Sequence, residues 1–172
     1  LIALSSSQVT ILGMFYGAKK YDLIKPMVQY TMLWSVLIGS FFSILLFLFI
    51  EDITPLFLTA SSISEVEMSD KAIKTTINYF YVMIFAYPFI GITMVSTRAM
   101  QAIGKAWPML ATALFRVIVL QCSLSYYFIK ILNKDINWAW YAIGGACILS
   151  AFFAYSMRVY FYNKLYKNLK GG

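Results

Sequence analysis

The chain has 172 residues, of which 61% are hydrophobic and 12% charged, against about 45–50% and about 25% in soluble domains. A soluble globule of this size would expose very large apolar patches, so the composition excludes it. The net charge of +7 does not indicate nucleic-acid binding, because the basic residues form short clusters between apolar runs and not one concentrated face.

The opening segment, residues 1–14, is apolar and predicts the end of a membrane helix. It begins without methionine and without the basic region of a signal peptide. We therefore expect the chain to start within a helix and to be a fragment of a longer protein.

A polar segment, FYGAKKYDLIKP at residues 15–26, comes next and contains three lysines. Gly17 is predicted to end one helix. Pro26, which has no backbone N–H to donate, is predicted to open the next. The segment is thus expected to be a turn between two membrane helices.

Four long runs of almost uncharged sequence follow, and they predict transmembrane helices at about 26–50, 75–97, 106–129 and 136–158. Each run exceeds the length of about 20 residues that a spanning helix needs. Buried helices of a large soluble protein are disfavoured because little soluble sequence separates the runs. The strict alternation of barrel strands is also missing. The predicted fold is all-α: a polytopic membrane bundle of four full transmembrane helices, preceded by the end of another.

The loop charges predict the orientation. The turn at 15–26, the 98–105 connection and the 158–172 tail together carry nine basic residues and one acid, whereas 51–74 and 130–135 carry four lysines and six acids. Loops rich in lysine and arginine stay cytoplasmic. We therefore expect a multi-pass protein of the plasma or inner membrane, with a cytoplasmic basic tail at 159–172 that anchors to anionic headgroups.

The longest loop shows two helix-start patterns. Thr54 before a proline predicts the N-cap of a short interfacial helix. Ser64 with Glu67 fits a capping box leading into the second spanning helix.

Arg116 is the main candidate functional residue, because it is the single charge in the interior of the predicted membrane helices, whereas Arg158 is the last residue of the fourth. A mid-membrane arginine costs a few kcal/mol on insertion scales and usually faces a bundle interior or a watery cavity. Two roles stay open: an arginine that locks helix packing, and a cavity-lining group that tunes a coupling site or meets an anionic substrate.

Other candidates lie in the same runs. Asn78 and Gln121 are polar residues that suit interhelical hydrogen bonds or a cavity wall. Tyr79 belongs to an aromatic second run whose ring faces suit cationic or amphipathic compounds. Pro88 with Gly91 predicts a helix kink, either a plain bend or a hinge. No catalytic, metal or cofactor-binding residue is predicted, because the chain has no histidine and its acids lie outside the runs.

Five segments match a known family in order and spacing. They are Gly17–Ile24 with Gln8 upstream, Pro55–Thr59, Pro88–Ile92, Met100–Lys105 and Trp138–Tyr141. Together they resemble the multidrug and toxic compound extrusion (MATE) transporters. The resemblance implies the C-terminal part of a protein with twelve helices in two lobes around a central cavity, with the first seven helices missing.

The resemblance also implies a function: antiport, coupled to H⁺ or Na⁺, that exports organic cations, drugs or other amphipathic compounds. One branch of the family has an aspartate in its tenth helix, but the matching region near Phe89–Gly91 contains no acid. The coupling-ion site is therefore expected in the missing N-terminal lobe. The partners implied are small-molecule substrates, the lipid bilayer and that lobe, without nucleic acid. A lipid-linked saccharide flippase of the same superfamily and a non-transporting scaffold are the alternatives, and an enzyme is not expected.

Overall fold

The computed structural model describes residues 1–57, 63–131 and 137–170, with side chains at 1–54, 73–131 and 138–167. The described residues form five long helices: α1 (Ile2–Gly17), α2 (Ile24–Phe57), α3 (Ile63–Ala102), α4 (Trp107–Ile131) and α5 (Asn137–Lys170). A short 3₁₀ turn, Tyr21–Leu23, precedes α2. Within these residues no strand occurs.

Four of the helices are long and apolar enough to cross a membrane. The candidate spans are Tyr21–Thr54, Ile73–Ala102, Trp107–Ile131 and Trp138–Lys167. They match the four predicted runs, and α1 precedes them as the predicted helix end. The prediction of an all-α membrane bundle is confirmed.

The helices are longer than the runs that predicted them, since α2 continues to Phe57 and α5 to Lys170. Charged residues mark the end of the segment that lies in the hydrocarbon core. The helix itself can continue through them, because its backbone hydrogen bonds also form in the headgroup region. The prediction of Thr54 as an N-cap is wrong, because its hydroxyl donates back to the Ile50 carbonyl at 2.7 Å inside α2. The predicted box at Ser64 lies outside the described side chains.

The turns after α1 and after α3 both end their helices with a Schellman motif, a pair of nested backbone hydrogen bonds at a left-handed residue. After α1, the Lys20 N–H donates to the Phe15 carbonyl at 2.9 Å and the Lys19 N–H to the Tyr16 carbonyl at 3.2 Å. α1 ends at Gly17 as predicted, but the left-handed residue is Lys19, with φ at 56°. A lysine pays a steric penalty there that a glycine would avoid.

The turn from α3 to α4 uses the same motif with a glycine. The Lys105 N–H donates to the Met100 carbonyl, and the Gly104 N–H to the Gln101 carbonyl, both at 3.0 Å. Gly104 takes φ at 77°, a conformation that costs glycine little. The motif fixes where Lys105 leaves α3.

Helix α3 is the centre of the bundle and packs against α1, α2 and α5. The buried core lies at the basic end, where α1, α2, α3 and α5 meet; it contains Leu12, Ile24, Val28, Val95, Ala99, Ile103 and Tyr162. Large apolar side chains of α2 between Phe41 and Phe49 are exposed, as are many on α4. Such surfaces fit contact with lipid or with other membrane helices.

Candidate functional site

Arg116 lies in a π-helical part of α4, Phe115–Cys122. Its side chain is half-buried, and its Nε atom is buried without a hydrogen-bond partner in the described part of the chain. The guanidinium interacts electrostatically with Cys147 of α5. Next to it, Phe115 stacks on Phe153 of α5 with ring centroids 4.5 Å apart. Arg116 is therefore held beside α5 with an unused donor.

The π-helix also changes which residues share a side of α4. Arg116 and Gln121 are five residues apart, and an α-helix would turn them about 140° away from each other. A π-helix pairs residues five apart, so it brings the two nearly into line. Gln121 is half-buried like Arg116. Both predicted polar residues of this run are therefore half-buried members of one π-helical segment, which turns them closer to one side of α4 than an α-helix would.

Tyr79 and Asn78 lie in a different region. The rings of Tyr79 and Trp140 of α5 form an edge-to-face pair with centroids 5.1 Å apart. Asn78 is exposed. Along α5, Trp140 and Phe153 are thirteen residues apart, which is about 20 Å of helix. The sequence candidates therefore form two groups at different depths, and Tyr79 does not join Arg116 in one site.

Helices α2 and α3 approach each other closely in the Pro88 and Gly91 region. A Cβ on Gly91 would lie 2.5 Å from the Ser35 Oγ, and a Cβ on Gly39 would lie 3.4 Å from the Pro88 Cα. Helix α3 continues through Pro88 without a break. The glycines here permit close backbone approach, and the predicted kink stays a prediction.

A cavity of about 540 Å³ opens beside this crossing. We call it the α1–α3 cavity; its walls include Ala3 of α1, Gly39 and Phe42 of α2, and Tyr87 and Met94 of α3. Its volume lies within the range of about 300–1,000 Å³ of small-molecule pockets, and its mainly apolar walls are typical of them. A smaller cavity of about 270 Å³ lies between α2, α3 and α5.

Two buried polar residues next to the core were missed as site candidates. Gln8 of α1 is 1% exposed, and both its Oε1 and Nε2 are buried without a described partner. The Ser96 hydroxyl on α3 is also buried without a described hydrogen-bond partner. Leaving such groups unpaired costs about 1–3 kcal/mol each. The spacing of Ser5, Gln8 and Leu12 could have indicated one buried face, since residues three and four apart share a helix side.

Arg158 was assigned to the tail, but it is buried at 7% exposure. Its guanidinium lies 4.6 Å from the centre of the Tyr155 ring, and its Nε has no described partner. Further along α5, the Tyr162 hydroxyl donates to the Ala99 carbonyl at 3.1 Å and the Tyr166 hydroxyl to the Tyr21 carbonyl at 2.8 Å. This part of α5 is thus a packed helix, and lipid anchoring by it stays a prediction.

A carboxylate just outside the first predicted run also belongs to helix α2. Because α2 continues past Ile50, Glu51 is part of it. The Tyr81 hydroxyl of α3 donates to the Glu51 Oε1 at 2.9 Å. Glu51 is exposed, at the end of the helix opposite the basic turns.

Comparison with known proteins gives consistent results. A family model described as MatE matches residues 1–127. A solved structure, described as the inward-facing conformation of a multidrug resistance MATE family transporter of the MOP superfamily, superposes with a TM-score of 0.72 at 17% identity. The match covers 95% of this chain and 36% of that transporter, so the chain spans about a third of its length. No curated protein gives a significant sequence match.

Proposed function

The chain belongs to the MatE family of membrane transporters, and we propose that it forms part of an antiporter exporting organic cations, drugs or other amphipathic compounds. The proposed driving force is a gradient of H⁺ or Na⁺. Family membership rests on the model that matches residues 1–127.

The observation that carries the proposal is the α1–α3 cavity. Phe42 and Tyr87 give it aromatic walls, and none of the described residues that line it is acidic or basic. An organic cation over an aromatic face gains about 0.5–2 kcal/mol, and more of this is kept where water is excluded. The apolar body of a drug would gain from burial against the same walls.

Arg116 supports a role in coupling. It holds a positive charge within α4, with one donor unused by the described residues. A fixed cation lowers the affinity of nearby groups for H⁺ or Na⁺. We propose that Arg116 favours release of the coupling ion, and that the carboxylate binding the ion lies in the other lobe of the transporter.

The saccharide flippase is the second candidate because Arg116, which is half-buried, is not the only arginine shielded from water in the described helices. Arg158 is buried as well, with its own unpartnered Nε. Buried cations suit a pyrophosphate group, so a second arginine of this kind favours keeping the flippase as an alternative.

The test uses two neighbouring phenylalanines of α2 in the full-length transporter. Phe42 lines the cavity, whereas Phe41 is similarly exposed and does not. We expect Phe42→Ala to raise the KM for ethidium efflux about fivefold, because it removes about 1 kcal/mol of ring–cation attraction. Phe41→Ala should leave the KM unchanged at equal expression. Equal effects of the two variants would refute the cavity as the cation site, and translocation of a lipid-linked saccharide without ethidium efflux would establish the flippase.

A further inference from the structure

A further cavity lies at the basic end of the bundle, and its lining differs chemically from those of the two cavities described above. It has a volume of about 170 Å³ and is lined by Tyr16, Ile103, Lys105, Phe161, Lys164 and Leu165. Water occupies about 30 Å³ per molecule, so a phosphate group and some water would fit. Two lysines and a tyrosine form its polar side, and the other three residues form its apolar side.

Three separate elements bring these polar groups together. Tyr16 is in the last turn of α1, and its ring forms an edge-to-face pair with that of Tyr21, with centroids 5.7 Å apart. Lys105 is placed by the Schellman motif at Gly104. Lys164 is on α5, whose Tyr162 is bonded to α3. The cavity is therefore held by the same contacts that hold the basic end.

Its surroundings indicate headgroup depth. Trp107 follows Lys105 by two residues and Tyr160 precedes Phe161, and both are more than 60% exposed. Exposed aromatic side chains concentrate at the membrane–water interface. Across the segments 15–26, 98–105 and 158–172, Asp22 is the only acid against nine basic residues. An anion is thus favoured at this depth, and basic pockets between membrane helices bind acidic lipid headgroups.

We propose that this cavity binds the phosphate of an anionic phospholipid, with Lys105 and Lys164 as the charged ligands and Tyr16 as a hydroxyl donor. The apolar side, Ile103, Phe161 and Leu165, would contact the glycerol backbone. A lipid held there would bridge the end of α1, the α3–α4 turn and α5. This goes beyond the proposed transport function, because the site would bind membrane lipid and not cargo.

The test is native mass spectrometry of the full chain in mild detergent, with phosphatidylglycerol, phosphatidylcholine and free glycerol 3-phosphate as probes. The cavity variant is Lys105→Gln with Lys164→Gln. The matched control is Lys19→Gln with Lys20→Gln, which removes the same charge from exposed residues outside the cavity. A lysine near the surface contributes about fivefold in affinity for an acidic lipid, so the cavity variant should lower phosphatidylglycerol binding about 30-fold.

Support requires that the first phosphatidylglycerol binds at least tenfold better than phosphatidylcholine. It also requires that the control pair reduces this binding less than threefold, and that Lys105→Arg with Lys164→Arg preserves it. Equal losses in the cavity and control pairs would overturn the site in favour of general surface attraction. Glycerol 3-phosphate binding as tightly as the lipid would overturn it in favour of a soluble phosphate ligand. Should the double variant fail to fold, Lys164→Gln and Lys20→Gln give the same comparison.

Discussion

Replacing Gly91 by alanine tests how closely α2 and α3 pack. The new Cβ would lie 2.5 Å from the Ser35 Oγ and 3.3 Å from the Ser35 carbonyl oxygen. The hydroxyl can rotate away, but the carbonyl belongs to the backbone of α2. Gly91→Ala therefore forces the two helices apart by a few tenths of an ångström or strains them.

The magnitude comes from comparison with a second glycine. Overpacking a close contact costs about 1–3 kcal/mol. Alanine in a helix gains about 0.5–1 kcal/mol over glycine. Gly13 of α1 has no atom within 4 Å of its would-be Cβ, so Gly13→Ala keeps the gain without the clash. The propensity term cancels between the two variants, and Gly91→Ala should be the less stable by about 1–3 kcal/mol.

The measurement is unfolding in mixed micelles with increasing SDS, followed by the fluorescence of the four tryptophans. Ser35→Ala in the Gly91→Ala background removes the 2.5 Å contact and leaves the 3.3 Å one. It should recover part of the loss, giving a coupling energy of about 0.5–1 kcal/mol between the two sites.

If Gly91→Ala is as stable as Gly13→Ala, the crossing has more room than the geometry gives, and the packing argument is wrong. Full stability combined with lost transport would instead favour the hinge at Pro88. The two roles of this pair are thus separable by measuring unfolding and transport on the same variant.

Four further outcomes are expected. Lys19→Gly should stabilise the fold by about 1 kcal/mol, because glycine adopts the positive φ without the steric cost; an unchanged unfolding curve would contradict it. Tyr162→Phe should lower stability by about 1 kcal/mol in the same assay, since the Ala99 carbonyl loses its donor. Arg116→Ala should impair ethidium transport more than Arg116→Lys, and equal activity with the parent would leave Arg116 a packing residue. In intact cells, an impermeant thiol reagent should label a cysteine at Ser62 and not one at Lys19; the reverse pattern would invert the orientation.

The membrane spans were predictable because charged side chains are costly inside a bilayer. The length of each almost uncharged run therefore corresponds to the thickness of the hydrocarbon core. The helix ends were not predictable, because backbone hydrogen bonding continues where the hydrocarbon stops. Glu51 shows the difference: it follows the last apolar residue of its run, yet it lies within α2 and accepts a hydrogen bond from Tyr81. A charge count alone therefore placed this acid in a loop.

The site was less predictable, because its properties depend on contacts between helices. The depth of Arg116 follows from its position in the run, but its alignment with Gln121 depends on a π-helix that no simple residue pattern marks. Gln8 was noticed only as part of a motif, and its burial follows from the packing of α1 on α3. The α1–α3 cavity is formed by residues of α1, α2 and α3 together, so the sequence of any one helix does not indicate it.

The described contacts divide the bundle into two unlike halves. At the basic end, side-chain hydrogen bonds from Tyr162 and Tyr166 join α5 to α3 and to the turn after α1. Toward the other end, α2 presents exposed apolar side chains, and its described hydrogen bond to α3 is the surface contact of Tyr81 with Glu51. Among the described residues, relative motion of the helices would break fewer buried side-chain hydrogen bonds at that end. The α1–α3 cavity lies between the two halves, beside the glycine crossing, where small helix displacements would change its volume while the basic end stays fixed.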